Sequence, residues 1–304
     1  MSGGGFGWLV PPKLSPGATI RVIAPSGPLE TRLVWRGLGW LSERYDVRFD
    51  RGIFEATGYL AGNDARRREE LAKALIEPGV AAVICARGGY GASRFVHELD
   101  WSSLRLWPRW LVGFSDVTAL HVEATGLRVA SLHGPNVTAL GRGDSRARAS
   151  FVEAIENPDR HRSFAGLEAL VLGSASGRLC GGNLTLLHAC AAAGRLRLPD
   201  STVLFLEDVG ERPYRLDRML TTLRTGGHLA QVAAFAFGEF TDCGPGMDGV
   251  SVLDVARAVL GPLGKPIAAG VPSGHGVVNE PLLLGSMATL VCEPGGATLE
   301  LSPP

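Results

Sequence analysis

The stretch VAAVICARGGYG, residues 80–91, decides the fold class, because its apolar run ends abruptly in a glycine-rich turn. An apolar run of this kind is typical of a strand that is buried on both faces. The pattern recurs along the first half of the chain, with helical spacing of apolar residues between the runs. Strands that alternate with helices predict a mostly parallel, doubly wound α/β sheet. The strands are expected at 18–25, 80–86 and 111–113, and the helices at 30–44, 65–76 and 116–126.

Two turns follow these strands directly and carry chemically interesting residues. They are Arg87–Gly91, after 80–86, and Gly113–Asp116, after 111–113. In doubly wound sheets, ligands bind beyond the carboxyl ends of the strands. We therefore expect the functional site to include both turns.

The length of 304 residues predicts two domains rather than one. Residues 1–140 are interpreted as an N-terminal α/β domain that carries the nucleophile. Periodicity weakens over 141–178, which is interpreted as an interdomain linker region. Residues 179–304 are predicted to form a smaller C-terminal α+β domain with several short strands, including two at 282–284 and 288–292.

Composition excludes several classes of protein. The formal net charge is zero, with 30 basic and 30 acidic residues, which gives no reason to expect a nucleic-acid partner. The start, MSGGGFGWLVPPK, does not resemble a secretory signal, and no apolar window is long enough to span a membrane. The five cysteines are scattered without a CxxC pair, so we expect reduced thiols in a cytoplasmic protein. No cluster of His, Cys, Asp and Glu has the spacing of metal ligands, and we expect no metal and no cofactor.

Ser115 is the first candidate for chemistry. It lies in Gly113-Phe114-Ser115-Asp116-Val117, which is similar to a nucleophile elbow except that Val117 replaces the second glycine. The alternative is that Ser115 is an ordinary N-cap of the following helix. A serine nucleophile needs a base and an orienting carboxylate, so the choice depends on partners elsewhere in the chain.

Two histidines lie in glycine-rich turns, where an imidazole can approach a substrate: His133 and His275. Composition does not choose between them. Glu207 is the strongest candidate carboxylate, because it ends the apolar strand LFLE and a charge there is costly unless it is paired. Glu239 and Asp116 are rivals, and an ion pair of Glu207 with Arg212 or Arg215 is the structural alternative.

The turn Arg87–Gly91 offers backbone N–H groups at Gly88 and Gly89 that no side chain hinders. Such donors suit an oxyanion hole. A nucleotide-phosphate loop is the weaker interpretation, because the turn matches neither glycine-rich phosphate motif.

Taken together, these motifs resemble the LD-carboxypeptidases, a family of serine peptidases that includes muramoyltetrapeptide and microcin C self-immunity peptidases. The resemblance covers nearly the whole chain. The matching motifs, in chain order, are PGATIRVIAPSG (16–27), ARGGYG (86–91), GFSDVTALH (113–121), LHGP (132–135), GGNL (181–184), LFLEDVGERPYRLDRML (204–220), GEFTDC (238–243) and GVPSGHG (270–276).

The resemblance implies a catalytic triad of Ser115, Glu207 and His275, with an oxyanion hole from the backbone N–H groups of Gly88 and Asp116. It also implies a flavodoxin-like N-terminal domain, a homodimer, and hydrolysis of the L,D-amide that releases D-alanine from peptidoglycan tetrapeptides during cell-wall recycling. The leaving amino acid carries a carboxylate, which a cationic or amide-rich pocket would bind. Arginine candidates for it are Arg87, Arg94, Arg212 and Arg215, and Arg87, Tyr90 and Glu239 are predicted substrate contacts.

Two other functions fit the same resemblance. One is a microcin C-type amidase that cleaves aminoacyl or peptidyl nucleotides, although 185–201 lacks the aromatic residues that a nucleobase would need. The other is a catalytically silent ligand-binding module, against which the presence of all three triad residues argues.

Overall fold

The computed structural model describes residues 7–303; residues 1–6, the first part of the stretch MSGGGFGWLVPPK, and Pro304 lie outside the described residues. One sheet contains six strands in the order β11-β5-β4-β3-β1-β2. All neighbours are parallel except β11, which is antiparallel to β5. These strands are β1 (Thr19–Ile23), β2 (Asp46–Arg48), β3 (Val80–Cys85), β4 (Trp110–Gly113), β5 (Ser131–His133) and β11 (Leu282–Leu284).

Helices cover both faces of this sheet, as a doubly wound fold requires. One apolar core joins α1, α5 and α6 to β1, and another joins α2 and α4 to the opposite face of β3. The parallel order 2-1-3-4-5 is the flavodoxin-like order, so the predicted fold class is confirmed. The helices are α1 (Thr31–Ser42), α2 (Asp64–Ile76), α3 (Ser102–Leu106), α4 (Thr118–Gly126), α5 (Val137–Gly141), α6 (Ser145–Glu156), α7 (Leu184–Ala192), α8 (Pro213–Thr225) and α9 (Val252–Leu260).

The second half of the chain closes into a barrel in the order β10-β6-β13-β12-β7-β8-β9. Side chains alternate along its strands: Val203 and Phe205 point into the barrel core, whereas Leu204 and Leu206 pack outward against helices. The barrel strands are β6 (Arg162–Val171), β7 (Gly173–Asn183), β8 (Thr202–Val209), β9 (Val232–Thr241), β10 (Ile267–Ala269), β12 (Met287–Glu293) and β13 (Gly296–Ser302).

Residues 141–178, which the sequence suggested as a linker, are largely regular structure. They contain α6, the whole of β6 and the first part of β7. The apolar periodicity of β6 is weak because most of its residues are exposed or half-buried on the outside of the barrel. Closure of the barrel was not predicted, and neither was β13.

The two halves pack together at the carboxyl ends of their parallel strands. The backbone N–H of Asn183, which ends β7, donates to Oγ1 of Thr118 at the start of α4, at 3.0 Å. The strand β11 returns from the barrel half and pairs with β5. One apolar core continues from α4 to α7, α8 and α9. None of the described helices is long and apolar enough to cross a membrane.

Helices α1 and α5 approach each other through glycine. A Cβ added at Gly37 in α1 would lie 2.2 Å from the carbonyl oxygen of Val137, and one added at Gly141 in α5 would lie 1.9 Å from that of Leu33. Only glycine fits either position. This approach matters for the site described below, because α5 and the residues beside it form one of its walls.

We predict that Gly37→Ala and Gly39→Ala change stability in opposite directions, although both residues lie in α1. Overpacking at Gly37 should lower the free energy of unfolding by about 1–3 kcal/mol. Gly39 is exposed with no atom within 4 Å of an added Cβ. Alanine there should stabilise the helix by about 0.5–1 kcal/mol. Urea unfolding of both variants measures this, and equal stabilities would contradict the helix contact.

Candidate active site

Ser115 sits on a sharp turn between β4 and α4. Its φ of 66° lies in the left-handed region, which is uncommon for a residue other than glycine. It begins a short 3-10 turn, Ser115–Val117, that leads into α4. Its hydroxyl caps neither this turn nor α4 and bonds to no other described residue. The N-cap interpretation therefore has no support in the structure.

The turn after β3 lies directly against this serine. A Cβ added at Gly88 would be 2.7 Å from Cβ of Ser115 and 3.0 Å from its Oγ, so glycine is required. The backbone N–H groups of Gly88 and Asp116 donate to no other described residue. Two free N–H groups beside a serine are the donors that an oxyanion hole needs.

The Asp116 side chain connects the two turns. It is buried, and its Oδ2 accepts the backbone N–H of Ala92 at 2.8 Å. Burial raises the pKa of this carboxyl. Asp116 therefore holds the Gly88 turn in place. It forms no hydrogen bond or ion pair with a described histidine, which the role of an orienting carboxylate would require.

His275 and Glu207 form a close pair. The imidazole Nδ1 lies 2.6 Å from Oε2 of Glu207, which places Nε2 on the opposite side of the ring. The ring also packs against Phe114, with centroids 4.9 Å apart. Glu207 continues the inward alternation of β8 and is fully buried at the mouth of the barrel.

The electrostatics of Glu207 come from histidines. Burial would raise the pKa of its carboxyl, but the imidazoles of His133 and His275 lower that pKa to about 2. The carboxyl is therefore ionised throughout the neutral range. The alternative ion pair is not formed: among the described residues, Glu207 pairs with histidines and with neither Arg212 nor Arg215. Arg215 pairs with Glu211 at 3.4 Å. The adjacent Asp208 points to the other face and accepts bonds from Asn183 and Thr185.

The segment that carries His275, residues 274–280, is held by contacts on both sides of the histidine. Gly274 has φ +128°, and a Cβ there would lie 2.9 Å from Oε2 of Glu207. Its N–H donates to Oδ1 of Asn279 at 3.1 Å. Glu280 is paired with Arg146 at 3.0 Å and with Arg162 at 3.1 Å. Each contact restricts the position of the imidazole.

Ser115 and His275 line one cavity of about 410 Å³ between the two halves of the molecule. No hydrogen bond joins the serine hydroxyl to the imidazole; such catalytic bonds are often longer in the absence of substrate. Arg142 and Asn136 also line this cavity, and sequence reasoning missed both. Asn136 directly follows the LHGP motif, which was the one available signal.

Of the substrate contacts predicted from the sequence, some line this cavity and others do not. Arg87 lines the cavity, and its guanidinium donates to the carbonyl of Pro28. Tyr90 does not line it; its ring lies 5.9 Å from that of Tyr59. Glu239 lies against the His275 segment: a Cβ added at Gly276 would be 2.8 Å from Cγ and from Cδ of Glu239. Arg94 is committed to Asp64.

Comparison with known protein families identifies the family of this chain. The family model described as the LD-carboxypeptidase N-terminal domain matches residues 20–134. The model of the LD-carboxypeptidase C-terminal domain matches residues 176–290. The chain belongs to the LD-carboxypeptidase family. It is therefore a peptidase, and the resemblance seen in its motifs is confirmed.

Relatives and solved structures extend the similarity over most of the chain. A Synechocystis relative is 38% identical over 93% of this chain and 94% of its own length. The murein tetrapeptide carboxypeptidase of Pseudomonas aeruginosa is 33% identical over 89% of this chain and 92% of its own. The crystal structure of muramoyltetrapeptide carboxypeptidase from Oxalobacter formigenes superposes with a TM-score of 0.84 at 28% identity, covering 93% of this chain and 98% of that one.

A microcin C7 self-immunity protein, solved with aspartyl sulfamoyl adenosine, shares the fold. The TM-score is 0.86 at 18% identity, with 97% of this chain and 98% of that chain covered. Within residues 7–303, no group of three or more His, Cys, Asp or Glu side chains is arranged to hold a metal ion.

We predict that Gly88→Ala slows nucleophilic attack by Ser115 by about 100-fold or more, the usual cost of losing one oxyanion donor. The added methyl group would displace either the serine or the Gly88 N–H. The measurement is the rate of labelling by a fluorophosphonate, followed by intact-protein mass spectrometry. Gly126→Ala, at the exposed end of α4 where an added Cβ meets nothing, is the matched control. If the Gly88 variant is labelled as fast as the parent, Gly88 is not a donor of the oxyanion hole.

Proposed function

We propose that this peptidase is a serine-type LD-carboxypeptidase that releases the terminal D-alanine from peptidoglycan tetrapeptides in cell-wall recycling. The observation that carries the proposal is the buried Glu207–His275 pair, 2.6 Å apart, whose imidazole lines the same cavity as Ser115. A histidine backed by a carboxylate beside a serine is the arrangement of nucleophilic acyl transfer. The named relatives supply the substrate class.

The mechanism follows from these positions. His275 accepts the proton of the Ser115 hydroxyl through Nε2 as the serine attacks the amide carbonyl. Glu207 keeps Nδ1 protonated and stabilises the imidazolium. The N–H groups of Gly88 and Asp116 bind the oxyanion of the tetrahedral intermediate. His275 then protonates the leaving amine, and water hydrolyses the acyl-enzyme.

The leaving amino acid has a free carboxylate, and we propose that Arg142 binds it. Arg142 lines the cavity and forms no ion pair with any other described residue, whereas the Arg87 guanidinium already donates to a carbonyl. A free guanidinium can bind a carboxylate through two parallel N–H groups. Asn136, whose Oδ1 caps α5, also lines this cavity. Arg87, Tyr90 and Glu239 stay predicted contacts.

The proposal extends to the setting of the enzyme. The two-domain division at 1–140 and 179–304 would place Ser115 in one domain and Glu207 and His275 in the other. All five cysteines are free and buried, which fits a reducing cytoplasm. The family resemblance supports a homodimer, which light scattering of the purified protein would test.

A muropeptide digest tests the proposed substrate. We expect the purified protein to remove one D-alanine from tetrapeptides and to leave pentapeptides intact, as read by mass spectrometry. Ser115→Ala and His275→Ala should each lower the rate by at least about 10⁴-fold, because triad residues act as a unit.

Full activity of either variant would refute the triad. Cleavage of an aminoacyl sulfamoyl nucleoside, with tetrapeptides untouched, would instead support an amidase of the microcin type. Residues 185–201 contain no Phe, Tyr or Trp to stack a base, so we expect no such cleavage.

A second prediction concerns Arg142. Arg142→Met should raise KM for the free tetrapeptide by about 10- to 100-fold, the worth of a hydrogen bond to a charged group. The same variant should cleave a tetrapeptide with a C-terminal carboxamide as well as the parent does. Arg87→Met is the matched control, because it also removes a cation from this cavity. If Arg142→Met raises KM equally for the tetrapeptide acid and for its carboxamide, Arg142 does not bind the carboxylate. If only Arg87→Met loses the preference for the acid over the carboxamide, Arg87 is the residue that binds it.

A further inference from the structure

Two buried polar atoms face each other behind the proposed triad, and neither has a hydrogen-bond partner. They are Oε1 of Glu207 and Nε2 of His133, 3.9 Å apart. Both side chains are 0% exposed. Buried polar groups in native proteins are almost always paired, and an unpaired one costs about 1–3 kcal/mol. Unpaired atoms so close together point to each other as partners.

The backbone holds both residues at this position. His133 is the last residue of β5, and its neighbours across the sheet are Gly113 on β4 and Leu282 on β11. Its ring packs edge-on against Phe205, with centroids 5.1 Å apart. Phe205 and Glu207 share the inward face of β8. The imidazole of His133 can therefore shift by a fraction of an ångström toward Glu207, but the sheet and Phe205 keep it beside that carboxylate.

The carboxylate of Glu207 favours a proton on Nε2 of His133, because a lone pair on that nitrogen would face the negative Oε1. The Oγ of Ser273 lies 3.4 Å from Nδ1 of His133 and 3.3 Å from Oδ1 of Asn279, and its single proton can go to either acceptor. In both cases Nε2 is the ring nitrogen that faces Oε1 of Glu207. The other carboxylate oxygen, Oε2, is already taken by His275.

We propose that His133 is a positioning residue, whose Nε2–H holds Oε1 of Glu207 so that Oε2 stays directed at His275. The inference rests on the proposed triad and adds a fourth member to it. With both oxygens held, the carboxylate cannot rotate about its terminal bond, and the His275 ring keeps one orientation toward Ser115. Supporting groups of this kind fix the geometry of a catalytic constellation.

The other titratable groups nearby do not compete for this role. His121 lies 6.2 Å from His133 between ring centroids, and both its nitrogens are bonded, to Ser131 and to the carbonyl of Gly113. Burial lowers the pKa of His121 to about 3, so it is neutral at working pH. Asp208 is on the opposite face of β8 and bonds to Asn183 and Thr185.

The test compares His133→Gln with His133→Asn. Glutamine can place an amide N–H near the position of Nε2, whereas the shorter asparagine reaches only the position of Nδ1. We expect His133→Asn to lower kcat by about 10- to 100-fold with KM unchanged, and His133→Gln to recover most of the activity. In His133→Asn the acidic limb of the pH profile should also move to higher pH, because a carboxylate with one donor holds the His275 proton more tightly.

A merely structural role of His133 would lower stability without moving the pH profile or separating the two amides. Equal activities of the two variants, or an unshifted acidic limb, would overturn the proposal. In a Glu207→Gln background, His133→Asn should cause no further loss. Nitrogen-15 NMR of histidine-labelled protein is an independent test that needs no variant to fold: we expect a proton on Nε2 of His133, and an Nε2 that carries no proton would refute the inference.

The labelling rate of Ser115 by a fluorophosphonate separates this test from that of the proposed function. This rate measures how strongly the Ser115 hydroxyl is activated, and it does so whatever the natural substrate is. A parent protein that neither labels nor cleaves tetrapeptides would refute the proposed function. A parent that labels, with His133→Asn labelling equally fast, would refute the positioning role alone.

Discussion

The ionised carboxylate of Glu207, buried at the mouth of the barrel, is the constraint around which the site is arranged. An isolated charge in such a place would be prohibitively unfavourable, so its surroundings must supply donors. His275 donates to one oxygen at 2.6 Å, and His133 faces the other. Gly274 has no side chain, which lets the segment carrying His275 lie directly on this carboxylate. The need to satisfy one charge therefore brings β5, β8 and that segment together.

A second constraint acts on the opposite side of the cavity. Ser115 is held with φ of 66°, a conformation that persists only where the surroundings fix it. Gly88 approaches its Cβ too closely for any side chain, and the Asp116 carboxylate ties the two turns together through Ala92. The strained turn exposes the hydroxyl and leaves two N–H groups free beside it. The strained backbone of Ser115 and the free N–H groups of Gly88 and Asp116 therefore both result from the packing of these two turns against each other.

Local patterns were enough to predict the parallel sheet, because buried strands are apolar on both faces and end in turns that glycine and proline mark. They were not enough for the barrel. Strands such as β6 are largely exposed on one side, so their composition resembles that of a surface segment. Closure depends on pairing between residues far apart in the chain, as in β6 with β13. Likewise β11 joins the sheet of the first half, which no local signal indicates.

Residue patterns in the sequence were enough to predict the fold class and the turns at Arg87–Gly91 and Gly113–Asp116, and the motifs indicated the family, a resemblance that implied His275. Composition did not choose between His133 and His275, because both lie in glycine-rich turns. The tertiary structure put one against each oxygen of Glu207, with only His275 reaching the cavity. It also revealed Arg142 on the cavity wall, which depends on the close glycine contact between α1 and α5. Such choices depend on distances between separate elements, and residue types in one segment do not encode those distances.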